Sequence, residues 1–188
     1  MHTKNDRTQN VLGFIKYPTP TAHLLVGRAI DNQKYKRYNS YITKGGVAMD
    51  NLVFERIWED NEFFMLNVSA SSPHASVCEK IYTTDSAIAA LSDGICDYCD
   101  KKRVDFFWEN GKKGDGYTTY LSLRFLTADR LGHAKIEVFC EIADGGSYEK
   151  HNSCFYLSTD CSALYTFAKG LLALCTKGTG KKIALCAE

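Results

Sequence analysis

The stretch GICDYCDKKR, Gly94 to Arg103, sets two cysteines three residues apart and follows each with an aspartate. Such thiols could hold a zinc ion or run thiol–disulfide chemistry. A structural zinc takes four ligands, with sulfur at about 2.3 Å, and normally draws a second Cys or His pair at short spacing. No second pair exists: Cys154 and Cys161 are seven apart, and His151 with Cys154 would need a strand end to meet the helix that carries Cys96 and Cys99. A redox pair needs the start of a helix, where the dipole favours the thiolate. Here the pair falls in a helix's last turns, where the dipole points the other way. The expectation is a packed helix end, with no metal and no cofactor.

The aspartates of the same stretch carry the sharper hypothesis. Asp93, Asp97 and Asp100 are spaced by four and three, so they form one acidic row along a helix. Either this row is a solvated face neutralised by Lys101 and Lys102, or it docks a basic partner protein, since complementary charge speeds and orients association. A second candidate contact is QKYKRYNSYITK, where Tyr35, Tyr38 and Tyr41 interleave with Lys34, Lys36, Arg37 and Lys44. Tyr35, Arg37 and Tyr38 could stack on bases and touch phosphates as single-strand binders do. A sequence pI near 7.5 argues against nucleic acid as the partner. The more economical role pairs this basic segment with the acidic remainder, within one molecule or across a homodimer.

Catalytic arrangements are thin. A Cys/His hydrolase can be drawn from Cys140 or Cys154 with His133 or His151, but neither pairing fits a nucleophile signature. GTGKK, Gly178 to Lys182, resembles part of a phosphate loop yet lacks the upstream glycine spacing and the Ser/Thr after lysine, and it follows a helix instead of opening one.

The elements that position these residues follow from composition and period. A chain of 188 residues, 45% hydrophobic and 24% charged, is long enough to bury a substantial core. Its eight cysteines therefore read as reduced and mostly buried, without a disulfide framework. No apolar run approaches the roughly eighteen residues that span a bilayer, and MHTKNDRTQN lacks a signal peptide's apolar core, so a cytoplasmic location is expected. Residues 1–51 hold eight Lys/Arg against three Asp/Glu, whereas residues 52–188 hold fifteen against nineteen. With the glycine pair Gly45 and Gly46 as a break, this divides the chain into a basic, β-containing N-terminal extension, 1–48, and a core domain, 49–188.

In the core domain, LVFERIWE and EFFMLNVSA flank a turn-like DN as a hairpin, with Phe64, Leu66, Val68 and Ala70 on one face. A short strand at ASVCEKIYT turns Val77 and Ile81 inward. Ile88, Leu91, Ile95 and Tyr98 then change the period to that of an amphipathic helix, started by Thr84, Asp85 or Ser86 and weakened locally by Gly94. Leu121, Leu123 and Phe125 alternate along one strand. Ala134, Ile136, Val138, Cys140 and Ile142 alternate along the next, with Lys135, Glu137 and Glu141 outward, which implies a sheet with one wet face. NSCFYLS adds a strand, and a second helix spans about Asp160 to Cys175 with Leu164, Phe167, Ala168, Leu171 and Leu174 buried and Gly178 as its stop. The predicted class is α+β: an antiparallel sheet with two amphipathic helices packed on it, plus the extension.

The run from Trp108 to Cys175, with YLSLRF, DRLGHAKIEVFCEI, CFYLSTD and ALYTFAKGLLAL, resembles the small α+β immunity-type proteins of bacterial polymorphic toxin systems, including those grouped with WapA-toxin immunity. In that pattern a helix follows early strands, a turn like the one holding Asp129, Gly132 and His133 joins two long strands, and a last helix closes the domain. Residues 1–46 have no counterpart in it. The resemblance implies binding without catalysis: a bacterial cytoplasmic protein that masks or inhibits a partner protein through its exposed sheet face or the Asp93, Asp97 and Asp100 row. A small Cys/His-dependent enzyme and a nucleic-acid-binding accessory protein are the alternatives.

Overall fold

The computed structural model describes residues 50–145 and 151–186; the expected 1–48 extension, and with it Tyr35, Arg37 and Tyr38, lies outside the described residues. Three strands come first, β1 (Asn51–Glu59), β2 (Phe64–Ser71) and β3 (Ser76–Thr83), followed by helix α1 (Asp85–Cys99). Four more strands follow, β4 (Phe106–Asn110), β5 (Tyr120–Phe125), β6 (His133–Glu141) and β7 (Asn152–Asp160). Helix α2 (Cys161–Leu171), a 3₁₀ turn (Leu172–Cys175) and β8 (Lys182–Cys186) complete the order.

Among the described residues, the strands make two four-stranded sheets instead of the single sheet expected, in the orders β3-β2-β1-β8 and β4-β5-β6-β7, with every pairing antiparallel. The class is α+β. A helix follows the last strand of each meander, and β8 then returns to close the first sheet beside β1. Ser122, on the outward side of β5, faces Glu109 and Phe139 on its two neighbours, so the second sheet presents one continuous outer face.

Alternation works as the periodicity predicts. Phe64, Leu66, Val68 and Ala70 are buried on β2, and Ala134, Ile136, Val138 and Cys140 on β6, each with more exposed residues between. One apolar cluster joins both sheets and both helices. Phe54 of β1 lies at its centre, its ring 6.5 Å from that of Trp108 on β4 and 5.9 Å from that of Phe167 on α2. Burying each such side chain contributes roughly 1.5–3 kcal/mol.

The helices carry the caps their sequences allow. Thr84 Oγ1 accepts from the Ala87 amide at 3.2 Å, and Asp160 accepts from Ser162 and Ala163 at 2.7 and 2.9 Å. Gly94 is a close approach and not merely a weak point: a Cβ there would sit 2.0 Å from the Phe106 ring. The second helix stops as α-helix at Leu171, earlier than Gly178, and tightens into the 3₁₀ turn.

A bulge in β1 between Arg56 and Trp58 turns those residues to opposite faces although they are two apart. Trp58 faces outward. Arg56, only 4% exposed, faces inward and pairs with Glu59 at 2.7 Å while its guanidinium lies 4.2 Å from the Phe64 ring centre.

Candidate functional site

The acidic row lies on α1 and its C-cap as its spacing requires, and two of its members, Asp97 and Asp100, are paired within the chain. Lys101 ends the helix with a left-handed φ of 59°, which turns the following residues back along it. The Lys102 ammonium then lies 3.1 Å from Asp97 and 3.2 Å from Asp100, and Arg103 lies 3.3 Å from Asp97. The Lys102 hydrogen bond, with the charges of Lys102 and Arg103, holds the Asp97 carboxyl below its ordinary range. Asp93 is exposed one turn earlier. Lys102 and Arg103 are thus the cations that meet the row, and Lys101 is the hinge of the turn.

The cysteines of the same stretch are not activated. Burial, then the Asp100 and Asp93 charges, raises the Cys96 thiol, and burial with the neighbouring Cys161 pushes Cys99 up to about 12. Among the described residues, no group of three or more His, Cys, Asp or Glu is placed to hold a metal ion.

The drawn Cys/His pairings start from one buried and one exposed cysteine. Cys140 is 1% exposed and burial pushes its thiol up to about 12, so it is a core residue. His133 faces Asp129, Nδ1 to Oδ2 at 2.8 Å, in the β5–β6 turn. His151 is exposed just before β7. Among the described residues, no hydrogen bond joins either imidazole to a cysteine.

The outer face of the second sheet brings together residues that spacing alone leaves apart. Register aligns Phe107, Arg124, Glu137 and Tyr156 in one row across β4, β5, β6 and β7. The Arg124 guanidinium lies 5.5 Å from the Phe107 ring centre, and its Nε is 4.0 Å from Glu137. Tyr156 donates its hydroxyl to Glu137 at 2.8 Å, which raises the phenol's pKa. Phe107, Arg124 and Tyr156 are 47%, 53% and 50% exposed. Each sits on a strand, so the row is held by sheet geometry and not by a loop.

Beside this row the face closes over. Tyr120 donates to Glu109 at 2.6 Å, its ring meets Phe139 edge-on at 6.0 Å, and the Lys113 ammonium lies 4.4 Å from the Phe139 ring centre. Glu141, expected outward, does lie on the outer face. It is nonetheless buried, because the loop after β4 folds over it and Gly114 donates its amide at 2.9 Å. One part of the face is therefore covered by its own loop, and among the described residues the Phe107–Tyr156 row is left open.

The first sheet carries a smaller aromatic patch at its β1–β2 end. Trp58 and Tyr82 meet edge-to-face at 6.1 Å, with Phe63 exposed nearby in sequence. Asn110 of β4 donates to the Tyr82 carbonyl at 2.9 Å and ties this end to the second sheet.

Phe107, Arg124 and Tyr156 were not singled out by spacing, although the outward side of Glu137 and Lys135 was. The available signal was large aromatics at polar-face positions: Phe107 beside the buried Trp108, and Tyr156 between the buried Phe155 and Leu157. Comparison of the chain with protein-family models, with curated proteins and with solved structures finds no match. Among the described residues, no helix is long and apolar enough to cross a membrane.

Proposed function

We propose that this chain is a non-catalytic binding protein that masks a partner protein, and that the partner docks on the outer face of the second sheet. The observation that carries this reading is the open row of Phe107, Arg124, Glu137 and Tyr156. Aromatic residues and arginine dominate the binding energy of protein interfaces, where they act as rigid anchors ringed by near-neutral contacts. Here they are braced before any partner arrives: Arg124 lies over Phe107 and beside Glu137, and Tyr156 is fixed by Glu137. Ordering them on binding therefore costs little.

The same face argues for protein over nucleic acid. Glu109 and Glu137 stand among its aromatics, and carboxylates there would repel a phosphate backbone. The pairing of Asp97 and Asp100 with Lys102 weakens the case for a basic partner on α1. Arg124, whose side chain is about half exposed, suits a partner carboxylate instead. The immunity-like role expected from the sequence fits this mode of action, since inhibition by masking needs a rigid surface and no reactive group.

The test is affinity capture from the source cells with high-salt washing, run in parallel on three forms of the protein. Wild type and Asp93→Asn/Asp97→Asn should recover the same protein in stoichiometric amount, and Arg124→Ser/Tyr156→Ser should not. Equal recovery by the last variant, shown to be folded, contradicts the assignment.

A further inference from the structure

The question raised by Cys96 and Cys99 has an answer in a different pair. Residues three apart on a helix hold their Cβ atoms about 5–6 Å apart, and a disulfide needs about 3.5–4.5 Å, so Cys96 and Cys99 cannot bridge while α1 is intact. Cys99 is the last residue of α1 and Cys161 the first of α2. The Cys99 thiol donates to the Cys161 carbonyl at 3.5 Å, so the end of one helix touches the start of the other at these two cysteines. We propose that Cys99 and Cys161 form a reversible dithiol–disulfide site, oxidised by low-molecular-weight disulfides, that welds the end of one helix to the start of the other.

Both ends are fixed by contacts that do not depend on the thiols. Cys161 donates its amide to Gly132 at 3.0 Å, and Asp160 caps the helix it begins. Tyr98, beside Cys99, donates its hydroxyl to Leu126 at 2.5 Å. Gly132 leaves room over Cys161: a Cβ there would lie 3.8 Å from the Cys161 Cβ and 4.0 Å from its sulfur. Cys99 and Cys161 are both half-buried, which admits a small disulfide and hinders a macromolecular one.

Two exchanges complete the reaction. Cys161 attacks the small disulfide RSSR, forming a Cys161–S–S–R bond and releasing one RSH, which takes the Cys161 proton. Cys99 then loses its proton, attacks the Cys161 sulfur and expels the second RSH. Two protein thiols are oxidised and one RSSR is reduced. Burial keeps Cys99 protonated, which suits it to the second, intramolecular step, where proximity offsets its low thiolate fraction.

The test is equilibration of the full chain with oxidised glutathione, quenching with iodoacetamide, and peptide mapping without reduction. The expected product is a peptide pair joining Cys99 to Cys161, two hydrogens lighter than the separate peptides, with a melting temperature raised by about 5–10 °C and restored by dithiothreitol. Cys96→Ser should still form it; Cys99→Ser and Cys161→Ser, checked for a cooperative melt, should not. A Cys96–Cys99 bridge, a persistent glutathione adduct at Cys161, or alkylation of both thiols with adducts confined to exposed Cys78 and Cys154 would each overturn the proposal.

Discussion

Arg56 donates from its buried guanidinium to the carbonyl of Leu174 at 2.5 Å, across 118 residues of chain. A second bond reaches Thr176 at 3.1 Å, and Glu59, which pairs with Arg56, accepts the Gly178 amide at 2.9 Å. One ion pair thus satisfies the carbonyls left over at the end of the 3₁₀ turn and anchors the loop that delivers β8 to the first sheet.

Arg56→Met should therefore cost about 2–4 kcal/mol, because it leaves the buried Leu174 carbonyl without its donor and removes the cation paired with Glu59. Glu59→Gln should cost less, since the amide oxygen can still accept from Gly178. Urea unfolding monitored by tryptophan fluorescence distinguishes the two.

Gly94 gives a prediction that runs against helix propensity. Replacing a mid-helix glycine by alanine ordinarily gains up to about 1 kcal/mol. Here the new Cβ would fall 2.0 Å from the Phe106 ring, so Gly94→Ala should destabilise by about 1–3 kcal/mol. Combining it with Phe106→Leu should recover part of that loss, a coupling that a double-mutant cycle measures directly.

Alkaline pH should weaken the fold. Burial is the chief cause that pushes Tyr98, Cys99 and Cys140 up to about 12, from ordinary values of 10.0 for the phenol and 9.0 for the thiols. For each, the folded state binds the proton more tightly than the unfolded chain. Their stabilising effect is complete below the unfolded values and is lost as pH climbs through the folded ones. Urea midpoints should be level from pH 7 to about 9 and fall between about 9 and 12. Tyr98→Phe should be less stable at pH 7, through loss of its bond to Leu126, yet show a shallower alkaline decline.

The acidic row should matter little. Asp97→Asn removes exposed pairs with Lys102 and Arg103, and its melting temperature should stay within about 2 °C of wild type. A larger fall would show that these pairs hold the α1 terminus in place.

Much of the fold was legible where local pattern and burial coincide. Phe64 to Ala70 and Ala134 to Cys140 alternate because each strand has one dry face, and Ile88 to Tyr98 follow the helical period because α1 buries one stripe. Strand order was not legible, since period tells which face a residue takes and says nothing of its neighbour. Hence one sheet was expected where the described residues form two. β8 was missed because KIALC is short, follows a glycine-rich loop, and becomes a strand through pairing with β1 at the far end of the sequence. The candidate site divides the same way. Asp93, Asp97 and Asp100 are readable from spacing, but their neutralisation depends on the left-handed turn at Lys101. Phe107 meets Arg124 and Tyr156 meets Glu137 only through the register of four strands.

The most direct test of the account is the affinity of the captured partner for purified wild type, Arg124→Ser/Tyr156→Ser and Asp93→Asn/Asp97→Asn/Asp100→Asn, measured by titration calorimetry at physiological salt. Loss of two anchors on the open row should weaken binding by about 100-fold or more, and loss of the acidic row by less than about threefold. The reverse order, with the folded sheet-face variant binding as wild type and the aspartate variant failing, would contradict docking on the second sheet and place the contact on α1.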